Sequence, residues 1–215
     1  LALGANTTGA DNVAVGKDSL DSNTTGGGNV AVGSDALQGN VSGASNVAVG
    51  NDALKSNTAS GNVGVGNQAL EANTSGGNNV AVGFQSLLAN TTGYSNSAIG
   101  ANSLDANTTG TANSAFGHNA LSANTTATQN TAIGASALKT NITGTHNTAV
   151  GGLALEVNTT GSTNVAVGFA TLDANTTGAS NTGLGAYALS FNTTGVANTA
   201  VGKDALLANT TGSQN

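Results

Sequence analysis

The phrase "NVAVGSDALQGNVSGAS" at residues 29–45 returns with small changes along the whole 215-residue chain, and this seventeen-residue period constrains the fold more than any other feature. Twelve units begin at Asn12, Asn29, Asn46, Asn62, Asn79, Asn96, Asn113, Asn130, Asn147, Asn164, Asn181 and Asn198, and each has seventeen residues except the third, which has sixteen. Residues 1–11 fit the second half of the same unit and Asn215 opens a further one. The chain is therefore expected to be an excerpt: a partial repeat (1–11), a twelve-repeat array (12–214) and the start of another repeat. Such a period means stacked units, each burying its apolar side against the next.

Composition agrees with stacking and excludes several function classes. There are 32 Gly, no Pro, Cys, Met or Trp, only 2 Tyr and 4 Phe, and 4 basic against 10 acidic side chains. Long apolar residues are too few for a thick globular core. Without cysteine there is no disulfide framework and no thiolate metal site. A net charge of -6 leaves no basic surface to neutralise a run of phosphates, so nucleic acid is not an expected partner. No apolar stretch approaches bilayer-spanning length, so no membrane contact is expected within this segment.

Read by position in the repeat, the first residue is always Asn, the fifth Gly, the ninth Leu and the twelfth Asn. Position four is a sizeable apolar residue, position two is Val, Thr or Ser, and position three only Ala or Gly. "NVAVG" reads as a short β-branched strand ending at a turn glycine. Because side chains alternate along a strand, positions two and four share one face and position three the other. Neither face carries charge, so the strand is expected to be buried on both sides, with another backbone close to position three. Leu at nine, a small residue at eleven and Thr, Val or Ile at thirteen suggest a second, amphipathic strand with position ten outward. "NTTG" closes the unit as a turn. The expected fold class is all-β, a parallel β-solenoid or β-roll of twelve 17-residue coils. Coils one strand spacing apart would stack like residues at about 4.8 Å and give roughly 58 Å of length.

"NVAVG", "NSAIG" (Asn96 to Gly100) and "NTAVG" (Asn147 to Gly151) resemble the head repeats of trimeric autotransporter adhesins. The longer phrase "NTAVGxxALxxNTTG" resembles repeat arrays of phage tail fibres and related bacterial trimeric fibres. The resemblance covers the whole chain. It implies a homotrimeric, triangular β-prism-like fibre, extracellular, on a cell surface or a virion, acting as a shaft or head that presents a binding end. Identical chains are then the expected partners, with a host-cell surface, matrix or glycan as the external one. Association in general also follows from the uncharged strand.

Chemistry-bearing residues are sparse. His118 and His146 fall alone in different positions, and the carboxylates scatter over surface positions, so no catalytic role, cofactor or metal site is assigned. Asp18, Asp35 and Asp52 share position seven of adjacent units, an arrangement that reads as a solvated stripe. Most position-twelve asparagines match the Asn-x-Ser/Thr glycan acceptor, but Asn57, followed by Thr58 and Ala59, keeps the Asn and loses the acceptor, which favours a structural role. The Thr column at position thirteen suggests, as an alternative, an ice-binding or other surface-binding face. Phe84, Tyr94, Phe169, Tyr187 and Phe191 sit in variable positions and are the candidate recognition residues. The array predicts an elongated particle in small-angle scattering, and a compact globular profile would contradict stacking.

Overall fold

Each repeat contributes one three-residue strand, at positions two to four. In the computed structural model, which describes residues Leu1–Asn215, the chain is an all-β parallel β-solenoid without a helix. It forms two compact units, Leu1–Thr109 and Gly110–Asn215. The first holds β1 (Val13–Val15), β2 (Val30–Val32), β3 (Val47–Val49), β4 (Val63–Val65), β5 (Val80–Val82) and β6 (Ser97–Ile99). The second holds β7 (Ser114–Phe116), β8 (Thr131–Ile133), β9 (Thr148–Val150), β10 (Val165–Val167), β11 (Thr182–Leu184) and β12 (Thr199–Val201). Within each unit consecutive strands pair in parallel with like positions opposite, as in Val13↔Val30 and Thr131↔Thr148. The short third coil keeps this register, Val47↔Val63, so its missing residue is absorbed elsewhere.

The strand is buried on one face only. Position three is sealed inside the coil, with Ala31, Ala48, Ala81, Ala149 and Ala166 fully buried, while positions two and four are half-buried or exposed. Within the single chain, then, it is the coil's own interior, and not another chain, that approaches position three. Position three is small because the interior of its own solenoid is narrow: a Cβ on Gly64 would lie 3.1 Å from both the Ala69 carbonyl and Leu54 Cγ. The same interior holds every position-nine Leu from Leu20 to Leu189 at zero exposure.

The expected second strand is corrected. Positions six to eleven are turns. In the third coil, Ala53 N donates to Gly50 O, Lys55 N to Asp52 O and Asn57 N to Leu54 O, three overlapping β-turns in a row. The first two have a left-handed residue at their third position, as a type II turn requires. Position seven has φ between 49° and 61°, and the Leu of position nine between 49° and 55°. A β-branched residue is an outlier in that region, whereas Asp, Asn and the γ-branched Leu fit it better. The backbone thus explains why position four accepts Val, Ile, Phe or Leu and position nine accepts Leu alone. Coil-to-coil pairing continues through the turns: Asp35 N donates back to Lys17 O at 2.8 Å, and Leu37 N donates forward to Ala53 O at 3.0 Å. Gly at position five has φ of 119° to 142°, and a Cβ on Gly33 would run into the Gly50 carbonyl of the next coil.

Both asparagine columns form ladders. Asn29 N donates to Asn12 Oδ1 at 2.9 Å, and Asn40 Nδ2 donates to Asn23 Oδ1 at 2.9 Å. Within one coil, Asn29 Nδ2 and Asn40 Nδ2 both donate to the Gly43 carbonyl, each at 2.9 Å, so one peptide oxygen ties positions one and twelve together across the interior. The third coil breaks this pattern. Asn57 Nδ2 reaches Ala59 O at 2.8 Å, only two residues on, so the residue that is missing is the second Thr of "NTTG". Asn57 makes no rung to the coil before it, and Asn40 Oδ1 is left buried without a partner.

Inserting a Thr between Thr58 and Ala59 gives "NTTASG", close to the "NTTATQ" at Asn124 to Gln129. Restoring the rung should stabilise the first unit by about 1–3 kcal/mol, the cost of an unsatisfied buried polar group. A denaturant titration monitored by circular dichroism reads this directly, and an unchanged or lower midpoint would contradict the ladder account.

Candidate functional site

No pocket indents the surface, so any recognition falls to exposed side chains. Of the five aromatic candidates the structure joins two. Phe169, at position six, and Tyr187, at position seven of the next coil, meet edge to face with ring centroids 5.5 Å apart and planes at 81°. Their backbones are joined as well, Tyr187 N donating to Phe169 O at 2.9 Å. Phe169 also covers the preceding coil, since a Cβ on Gly152 would lie 3.6 Å from its ring edge. Phe84 has the same opportunity, but the residue donating to its carbonyl is Asn102, so it has no aromatic mate. Tyr94 lies at position sixteen and Phe191 at position eleven; both are exposed and neither joins the pair. Column-by-column reading misses the Phe169–Tyr187 pair because the backbone bond runs diagonally. The available signal is a spacing of eighteen residues rather than seventeen.

The charged candidates are dispersed. Asp18, Asp35 and Asp52 do share a column, and Lys55 Nζ lies 2.9 Å from Asp52 Oδ1 and 4.0 Å from Asp35 Oδ2. The hydrogen bond from Lys55 to Asp52 holds the ammonium above its ordinary pKa. Lys17 Nζ lies 3.4 Å from Asp18 Oδ2. The stripe is therefore a mixed-charge surface. Farther along, burial pushes the Asp105 carboxyl above its ordinary value. His118 is exposed, and His146 is exposed with Nδ1 3.1 Å from Thr145 Oγ1. No three metal-ligating side chains of the His, Cys, Asp and Glu set converge.

The position-thirteen threonines are not on a strand, and their hydroxyls are engaged. Thr24 Oγ1 donates to Val41 O, Thr74 Oγ1 to Thr91 O and Thr159 Oγ1 to Thr176 O, each at 3.0 Å. A face that must offer ordered free hydroxyls to ice receives little support from this arrangement.

Position twelve fares likewise as a modification site. Asn158 is fully buried, with Nδ2 donating to Asn141 Oδ1 at 2.8 Å and to Gly161 O at 2.9 Å. A glycan on Nδ2 would replace one of its two hydrogens, so at least one of these bonds would be lost, and it would need space the core lacks.

Compared with protein-family models, with curated proteins and with solved structures, the chain has no match.

When the chain passes through a glycosylating secretory route, the folded, protease-resistant fraction should carry no glycan on Asn158 or Asn175. Peptide mass spectrometry of that fraction is the check, and glycan on either residue would contradict the buried-ladder assignment.

Proposed function

We propose that this chain is a structural repeat region of an extracellular fibrous protein, a surface adhesin or a phage tail-type fibre, serving as shaft or head and associating as a homotrimer. The observation that carries the reading is the outer face of the strands. In each unit positions two and four present an uncharged, mostly β-branched strand face, with Val49 38 % and Ile99 44 % exposed in the first and Ile133 40 % exposed in the second although they lie in regular sheet. Contiguous apolar surface of this kind marks association sites. Position three is consumed by the interior of its own coil, so the associating face proposed here is that of positions two and four. The number three rests on the resemblance of "NTAVG" and "NTTG" to trimeric fibre repeats. The cell-surface or virion setting rests on the same resemblance.

Sedimentation velocity at micromolar concentration should give a trimer. Replacing Val49, Ile99 and Ile133 together by Lys should yield a monomer whose circular dichroism still reports β-structure, because these side chains are outside the core. A single Ala98→Glu change should instead unfold its coil. A monomeric parent chain, or a triple variant that remains trimeric, would overturn the association face; a stable oligomer of another order would overturn the trimer.

A further inference from the structure

The Phe169–Tyr187 pair lies outside the core columns of Asn, Ala and Leu. Both residues are partly exposed, Phe169 48 % and Tyr187 38 %. Elsewhere position six holds Ala without consequence, at Ala101, Ala135 and Ala186. Position seven mostly carries Asp, Asn, Gln or Ser, residues suited to its left-handed backbone or to solvent. Tyr187, at φ 60°, is an aromatic in a conformation that bulky residues avoid, and Leu153, at φ 61°, is the other large apolar residue placed there. The two exceptions fall in the coils on either side of Phe169. A disfavoured backbone held at an exposed aromatic is a pointer to function.

A carboxylate is held beside the turn that carries Tyr187. Position-ten side chains reach position-seven side chains in the same coil, as in Gln38 Nε2 to Asp35 Oδ1 at 3.2 Å. In the Tyr187 coil the Ser190 backbone N–H closes a turn on the Tyr187 carbonyl at 3.3 Å. Ser190 Oγ donates to Asp173 Oδ1 at 2.6 Å, which fixes a carboxylate of the Phe169 coil beside that turn. A carboxylate offers about four lone-pair sites, of which Ser190 occupies one.

We propose that Phe169, Tyr187 and Asp173 form a binding site for a neutral hexopyranose glycan. The apolar C–H face of a pyranose packs on an aromatic ring, and its hydroxyls donate to carboxylate oxygens. Anionic sugars are disfavoured by Asp173 and by a net charge of -6. A protein partner needs about 800 Å² per side for a standard interface, far more than two rings offer. Single-site affinity is weak, and repetition of the site in every chain of an oligomer raises avidity; this last step rests on the association proposed above.

The test is an array of immobilised neutral and sialylated hexopyranose oligosaccharides probed with the full 215-residue chain, followed by saturation-transfer NMR on the best neutral ligand. Binding to neutral glycans is expected, reduced about tenfold or more by Phe169→Ala and by Tyr187→Asn, as for anchor residues, and unchanged by Phe84→Ala. Both substitutions install residues the array already uses at those positions, and equal or higher melting temperatures will show that the fold is kept. No neutral-glycan binding, preference for sialylated ligands, or binding indifferent to both substitutions overturns the site. Sedimentation of the same samples separates the two proposals. An oligomer that binds no glycan removes only the site, and a monomer that binds through these residues keeps the site while removing the association.

Discussion

The peptide oxygen at position fifteen is the constraint on which the rest of the solenoid depends. In the second coil the Gly43 carbonyl accepts from Asn29 and Asn40 at once, and in the ninth the Gly161 carbonyl accepts from Asn147 and Asn158. This pins the entrance of the strand to the exit of the turns. The asparagine side chains of positions one and twelve are fully buried in nearly every coil, out of reach of water, so each amide must find its partner in its own coil or in a neighbour. Buried polar groups without partners are costly, and identical stacking satisfies the asparagine amides with one repeated solution, which fails at Asn40 Oδ1 where the third coil is short. The invariance of Asn at two positions is the sequence image of that arrangement. Gly is favoured at position fifteen for a related reason: a Cβ on Gly43 would collide with the Asn40 side-chain oxygen and the next coil's carbonyl. Ala59 and Ala127 show that the rule bends where the rung lengthens or shifts, Asn124 reaching Ala127 at 3.2 Å.

What could be read from the residues was set by what a period reveals. A seventeen-residue repeat with a β-branched triplet announces a parallel solenoid, and the triplet is where all twelve strands lie. Turn geometry is less visible. Leu at nine, a mostly small residue at eleven and Thr, Val or Ile at thirteen alternate with a polar or charged position ten as a strand would, yet positions nine to eleven are turns and the backbone at nine is left-handed. The overlooked clue is the exclusion of Val and Ile from position nine, which a strand would welcome and a positive φ rejects. The Ala/Gly column was similarly ambiguous, because a small residue is demanded equally by a neighbouring chain and by a thin interior. Only the Leu54 side chain lying against Gly64 distinguishes the two.

The same geometry separates positions that can change from those that cannot. Positions one, three, five, nine, twelve and fifteen serve the interior or the stacking. Positions six, seven, ten, sixteen and seventeen face outward, and there the chain places its charges, histidines and most of its exposed aromatics. The strand's outer face belongs to neither class. It varies, but only among Val, Thr and Ser at position two and apolar residues at position four. A surface kept free of charge over every coil while its neighbours drift is under a constraint other than solubility, and the association with like chains proposed above would satisfy it.

Neighbourhood on such a surface is not given by the column alone. The N–H of position seven donates backward to the carbonyl of position six in the preceding coil, as Asp35 does to Lys17 and Gln85 to Asn67. Side chains eighteen residues apart are thereby brought together, and a patch is assembled along a diagonal. Along this diagonal Phe84 meets Asn102 and Phe169 meets Tyr187. Most coils carry polar or small residues on one side of the step, so an aromatic at position six remains single. One coincidence of large side chains across the step is enough to create a ring pair, with no change to the interior and no new fold element. A repeat whose core is invariant can therefore acquire recognition sites by substitutions at two surface positions, and the Asn and Leu columns remain undisturbed while it does so.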